Sequence, residues 1–91
     1  MSIVIVGGNE RMENDYRKIC RKHQLKAKVF TKVKGSIRDQ IGEPELIVIF
    51  TDTVAHKMSM VAKKEAKHKD IPVTYVHSSS ATALEQALAV Y

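Results

Sequence analysis

The stretch Leu46-Ile47-Val48-Ile49-Phe50-Thr51-Asp52-Thr53-Val54-Ala55-His56 decides the fold. It opens with an unbroken apolar run, Leu46 to Phe50, which is too short for a lone helix, rich in β-branched types and preceded by Pro44. Such a run reads as a strand buried on both faces. It stops at Thr51-Asp52-Thr53, small polar residues able to cap a helix. A helix is therefore expected from about Thr53 to Lys69, with His56 roughly one turn inside it. In an open parallel sheet, ligands sit outside the carboxyl ends of the strands, so function is sought first at this corner.

Working outward, Ile3-Val4-Ile5-Val6 is a second apolar run, and Gly7-Gly8-Asn9 follows it as a tight turn. From Glu10 to His23 the apolar positions Met12, Tyr16, Ile19, Cys20 and His23 make the stripe of an amphipathic helix, with Arg17, Lys18, Arg21 and Lys22 outside. Lys26 to Thr31 alternates and suits a half-exposed edge strand whose lysines discourage further pairing. Lys32 to Gly35 is a basic turn. Ser36 is placed to cap a short helix carrying Ile37 and Ile41, which Gly42 ends and Pro44 keeps ended. After the central strand, the helix carries Val54, Met58, Val61, Ala62 and Ala66 on its apolar side, and its far end is basic. Ile71 to Val76 is a fourth strand with Pro72 at its start. His77-Ser78-Ser79-Ser80 comes next, and Ala81, Leu84, Ala87, Leu88 and Tyr91 stripe a last helix.

The order is βαβαβαβα. Right-handed crossovers then give a three-layer Rossmann-like or flavodoxin-like α/β fold, a four-stranded parallel sheet in the order 2-1-3-4. At 91 residues the chain is expected to form a single α/β domain, 1–91. Strand four is left as an apolar edge, which a solitary monomer should not leave open. A homodimer is expected, with that edge paired, covered, or completed by an exchanged terminal segment.

Composition narrows the function classes. Hydrophobic residues make up 44%, which excludes disorder, and with no Trp and 5% aromatics the core must be mostly aliphatic. The lone Cys20 forms no internal disulfide and no cysteine cluster exists; on the helix stripe it faces the core and is inert. No run approaches the length of a membrane span, and Met1-Ser2-Ile3-Val4 lacks the basic start of a signal peptide, so a soluble cytoplasmic protein is expected. The formal charge of +5 suits either an anionic partner or solvated helix faces, and the helical spacing of the charges favours the second. Nucleic-acid binding rests on net charge alone, with no aromatic platform or recognition motif.

Four loops meet at the carboxyl edge: Gly7-Gly8-Asn9, Lys32 to Gly35, Thr51-Asp52-Thr53 and His77-Ser78-Ser79-Ser80. Glycines, helix N-termini and hydroxyls together make an anion-binding rim, the basis for a nucleotide- or phosphate-binding regulatory module. Gly7-Gly8 is not a dinucleotide fingerprint, because Arg11 and Met12 hold the later positions, and there is no Walker motif. Asp52 invites a receiver-type phosphorylation site, but the acidic pair that would hold magnesium is replaced by glycine and asparagine. It reads instead as a helix cap. No nucleophile–base pair stands at credible spacing for an enzyme.

Of the histidines, His68 lies at a basic helix end and His23 closes the first helix. His56 and His77 should both stand near the carboxyl edge of adjacent strands. A zinc site there would have only Asp52 as a third ligand. Haem iron needs one axial histidine, apolar walls and a cation for the propionates. Phe50, Val54, Met58 and Met60 are candidates for the walls, and Lys32, Lys34 or Lys57 for the cation.

IVIVGG at the start, a helix carrying Tyr16, Thr51-Asp52-Thr53-Val54-Ala55-His56 in the centre and Pro72-Val73 followed by His77-Ser78-Ser79 together resemble the bacterial domain-of-unknown-function 2325 family. The resemblance runs across essentially the whole chain. It implies a compact α/β domain connected with haem binding and dimerisation, without an established reaction. It implies His56 as axial ligand to haem iron and His77 as its supporting or alternative ligand. The expected function is a non-enzymatic dimeric binding module that holds haem and responds to a diatomic gas or redox state.

Overall fold

Alternation along the strands builds the molecule. In the computed structural model, which describes residues 1–32 and 36–90, the strands are β1 (Ser2–Val6), β2 (Lys26–Phe30), β3 (Leu46–Phe50) and β4 (Val73–Val76). They form one parallel sheet in the order β2-β1-β3-β4. Helices α1 (Glu13–Lys22), α2 (Ile37–Ile41), α3 (His56–Lys69) and α4 (Ala81–Ala89) alternate with them. The expected α/β class, strand order and connectivity are all present. Of the basic turn expected at Lys32 to Gly35, all but Lys32 lies outside the described residues, as does Tyr91, the last stripe residue.

Every residue of β3 is buried, because neighbouring side chains serve different cores. Leu46, Val48 and Phe50 join Ile3, Ile5 and Val76 beneath α1 and α4, which contribute Tyr16, Ile19, Cys20, Leu84 and Leu88. Ile47 and Ile49 join Val4 and Val6 beneath α2 and α3, which contribute Ile37, Ile41, Met58, Ala62 and Ala66. Each of the four buried aliphatic side chains of β3 contributes about 2 kcal/mol to the fold. On the α1–α4 face, Glu85 meets Lys22 at 2.9 Å and His23 at 3.6 Å. Lys22 holds that carboxyl below the ordinary carboxylate range. This tie is therefore present at neutral pH and is lost as pH falls through the lowered value.

Three local expectations are corrected. The helix expected from about Thr53 begins at His56, which is its first residue rather than one turn inside. The Thr53 N–H donates to Phe50 O at 3.3 Å, so Thr51-Asp52-Thr53 turns back on β3 instead of capping. Ala55 holds the cap position and supplies no side-chain bond. The helix expected from Glu10 starts with a 3-10 turn, Glu10–Met12, because the Asn9 side chain accepts from Arg11 N–H at 2.9 Å and starts the chain turning early. The fourth strand starts at Val73, since Pro72 offers only its carbonyl, which accepts from Ile47 N–H at 3.0 Å. Ser36 occupies the cap position of α2 without a side-chain bond, whereas Ser80 caps α4 by accepting from Ala83 N–H at 3.1 Å.

The two edges differ. Lys26 and Lys28 are exposed along β2, and lysines on an edge resist further pairing. β4 offers Tyr75, which is 47% exposed. Tyr75 stands opposite Ile49 in the register and so lies on the α3 side of the sheet, with Lys63 Nζ 5.5 Å from its ring centre. Met60 on α3 is 56% exposed and Val90, just past α4, is 88% exposed. No helix among the described residues is long and apolar enough to cross a membrane.

Candidate functional site at the carboxyl edge

The loops at the carboxyl edge are laced to one another. Gly7 N–H donates to Phe30 O at 2.8 Å. Gly8 N–H donates to the carbonyl and hydroxyl oxygens of Thr53, at 3.2 and 3.0 Å. Asp52 accepts from Ser79 N–H at 3.2 Å and from the Thr53 hydroxyl at 3.2 Å. The glycine turn, the central turn and the serine loop are thereby one hydrogen-bonded unit, and Asp52 ties loops together rather than capping α3.

Tyr16 completes the unit, in a role the sequence reading assigned only to core packing. Its ring is fully buried, 5.0 Å from that of Phe50. Its hydroxyl accepts from Asn9 N–H at 3.1 Å and donates to Ser79 O at 2.6 Å. One phenol thus joins the loop after β1 to the loop after β4. The signal available was a tyrosine on an otherwise aliphatic stripe, since a buried Tyr hydroxyl must find partners. Tyr16→Phe leaves a part-buried donor and acceptor unmatched, which should cost about 2 kcal/mol. Denaturant unfolding measures that loss, and faster exchange of the Asn9 amide should accompany it.

The lacing bears on what the rim offers an anion. The N–H groups of Gly8, Asn9 and Ser79 are engaged internally, and Ser80 N–H donates to Ser78 Oγ at 3.3 Å. A phosphate here would have to displace these bonds and sit beside the Asp52 carboxylate.

His56 and His77 are both exposed at this edge, and their settings differ. His77 Nδ1 lies 2.9 Å from Thr51 Oγ1, and the same hydroxyl lies 3.4 Å from Val76 O. With the hydroxyl proton directed to Val76 O, Oγ1 accepts from Nδ1–H and the ring presents its Nε2 lone pair outward. His56 at the start of α3 has no comparable bond among the described residues. Of the apolar side chains expected as walls, Phe50 is fully buried and Met58 is 2% exposed, so neither faces a ligand. Val54 is half-buried and Met60 exposed. Lys57 is exposed near His56, Lys32 pairs with Glu10 at 2.9 Å, and Lys34 lies outside the described residues. Among the described residues, no group of three or more His, Cys, Asp and Glu is placed to hold a metal ion.

Cys20 takes no part in this edge. It is fully buried, and burial pushes its thiol up to about 11. The native protein should leave it unmodified by a disulfide reagent at pH 8, with one thiol reacting on addition of denaturant; rapid native labelling would contradict this burial.

The chain belongs to the family described as an uncharacterized protein conserved in bacteria, domain of unknown function 2325, whose profile matches residues 2–91. No curated protein and no solved structure matches it.

Proposed function

We propose that this member of the family is a non-enzymatic cytoplasmic binding module that works as a homodimer and holds haem at the carboxyl end of the open β4 edge. The observation that carries the reading is the Thr51–His77 contact at 2.9 Å. A metal-binding histidine is characteristically fixed through its other ring nitrogen, which sets the tautomer and the direction of the ligating lone pair. His77 has that arrangement and His56 does not, so His77 is the axial ligand in this account and His56 a neighbour. Tyr75 supplies exposed apolar surface on the α3 side of the same edge, and Lys63 and Lys57 supply cations for propionates. Bound haem would supply an iron centre responsive to redox state or a diatomic gas.

The dimer is proposed from the same edge. The unpaired edge of β4 with its exposed Tyr75 is a margin that a second copy would cover, by strand pairing or by an exchanged terminal segment. Light scattering at micromolar concentration should give twice the 10.2 kDa chain mass. Tyr75→Glu should shift it toward monomer, and a monomeric wild-type protein would overturn the dimer. The haem reading is tested by adding hemin and recording the absorption spectrum, in which a saturable shift of the Soret band is expected. The alternative, a nucleotide or phosphate on Gly7, Gly8, Asn9, Ser78 and Ser79, has less support because most of those N–H groups already have partners.

A further inference from the structure

A second concave surface lies away from the carboxyl edge, in the cleft between α2 and α3. It encloses about 710 Å³ and is lined by Ser36, Arg38, Val61, Lys64, Glu65, Lys67 and His68. Its chemistry follows from an uneven distribution of charge. Between His56 and Lys69, α3 carries five lysines and one glutamate. That glutamate, Glu65, is only 7% exposed. Its carboxylate is matched twice over, by Arg38 Nε at 3.2 Å and by Lys69 Nζ at 3.4 Å. Lys69 also donates to Gly42 O at 2.8 Å, which ties the end of α2 to the end of α3.

The buried carboxylate therefore acts as an anchor. It holds the guanidinium of Arg38 by Nε, and that side chain is otherwise largely exposed and lines the cleft, so its terminal nitrogens are not used by Glu65. Such a fork suits two oxygens of one anion. Lys64 and Lys67 stand across the cleft from it on α3 with no acidic partner among the described residues, and His68 and the Ser36 hydroxyl add further donors. The local surplus is at least two fixed positive charges with one carboxylate already matched, which is more than a single carboxylate ligand needs.

We propose that the α2–α3 cleft is a binding site for a polyphosphate group carried by a small molecule. Its volume is within the usual range for small-ligand sites, roughly 300–1,000 Å³. Its lining holds no Phe, Tyr or Trp, so His68 is the one ring it offers and it lacks the run of aromatic platforms on which successive bases of a single-stranded nucleic acid stack. Val61 gives a small apolar surface against which a non-phosphate part can rest. This site is independent of the haem reading, since none of its lining residues lies at the β4 edge.

Titration calorimetry of the folded protein with inorganic tripolyphosphate at low ionic strength tests the proposal. Saturable binding at one site per chain is expected. It should weaken at least tenfold in the Lys64→Ala/Lys67→Ala double variant and on raising salt. Glu65→Gln frees both cations while keeping the side chain's shape, so it should tighten binding, an outcome that loss of folding does not mimic. Lys18→Ala/Lys26→Ala removes the same net charge elsewhere and should leave affinity within about twofold. Adding ATP separates the sources: affinity equal to tripolyphosphate assigns the site to the phosphate chain alone, and tighter binding assigns it to a nucleotide. Absence of saturable heat overturns the proposal, as does equal weakening by both lysine pairs. Amide shifts confined to Gly7–Asn9 and Ser78–Ser80, or a preference for duplex oligonucleotide over tripolyphosphate, also overturn it.

Discussion

Gly8→Ala should destabilise the protein by about 3 kcal/mol, combining the cost of a left-handed backbone with that of overpacking a closed core. Gly8 has φ +92°, a conformation an L side chain rarely adopts. A Cβ there would lie 2.8 Å from Tyr16 Cε2 and 3.0 Å from Phe50 Cδ2. Both rings are fully buried, so neither can swing into solvent to make room. Moving Tyr16 also disturbs the hydroxyl that joins Asn9 to Ser79, so the damage reaches two loops. At about 4–8 °C per kcal/mol for a domain of this size, the melting temperature should fall by roughly 15 °C. A loss under 1 kcal/mol would mean that the glycine turn is free to rearrange and that the lacing of the carboxyl edge is not rigid.

Much of the fold was legible because strands buried on both faces write themselves as continuous apolar runs. Ile3 to Val6 and Leu46 to Phe50 needed no tertiary information, and the order of helices and strands then left few topologies. Boundaries were less legible where polar residues have two uses. Thr51-Asp52-Thr53 has the composition of a helix cap, yet its partners are Phe50, Gly8, Val76, His77 and Ser79, all but the first remote in sequence. Composition reports that a side chain can accept a hydrogen bond and does not report from which residue. The same limit hid the bridging role of the Tyr16 hydroxyl.

The wall residues show a second limit. Phe50 and Met58 were natural candidates for a ligand pocket because they flank the Thr51–His56 stretch, and they lie in the two opposite cores. An apolar side chain next to a candidate site is more often turned inward, since burial is what apolar residues gain most from. Of the exposed large apolar side chains, Tyr75 stands on the open edge strand itself. His56 and His77 were indistinguishable in sequence. The difference between them is the contact of His77 Nδ1 with the hydroxyl of Thr51, twenty-six residues away along the chain.

That hydrogen bond makes the second large prediction specific. If His77 ligates iron through Nε2, His77→Ala should abolish hemin binding at stoichiometric concentrations. Thr51→Val, which keeps the side-chain volume and removes the hydroxyl, should weaken binding about tenfold, as loss of a group supporting a metal ligand commonly does. His56→Ala should bind nearly as well as wild type. Thr51 also donates its N–H to Val76 O at 2.9 Å, a backbone bond that valine retains, so the variant should stay folded. The most direct measurement is therefore the Soret absorption of wild type, His77→Ala and His56→Ala, each titrated with hemin under identical conditions. A saturating, shifted band is expected in wild type and His56→Ala, and the spectrum of free hemin in His77→Ala. A band unchanged in His77→Ala, or no shifted band in the wild-type protein, would contradict it.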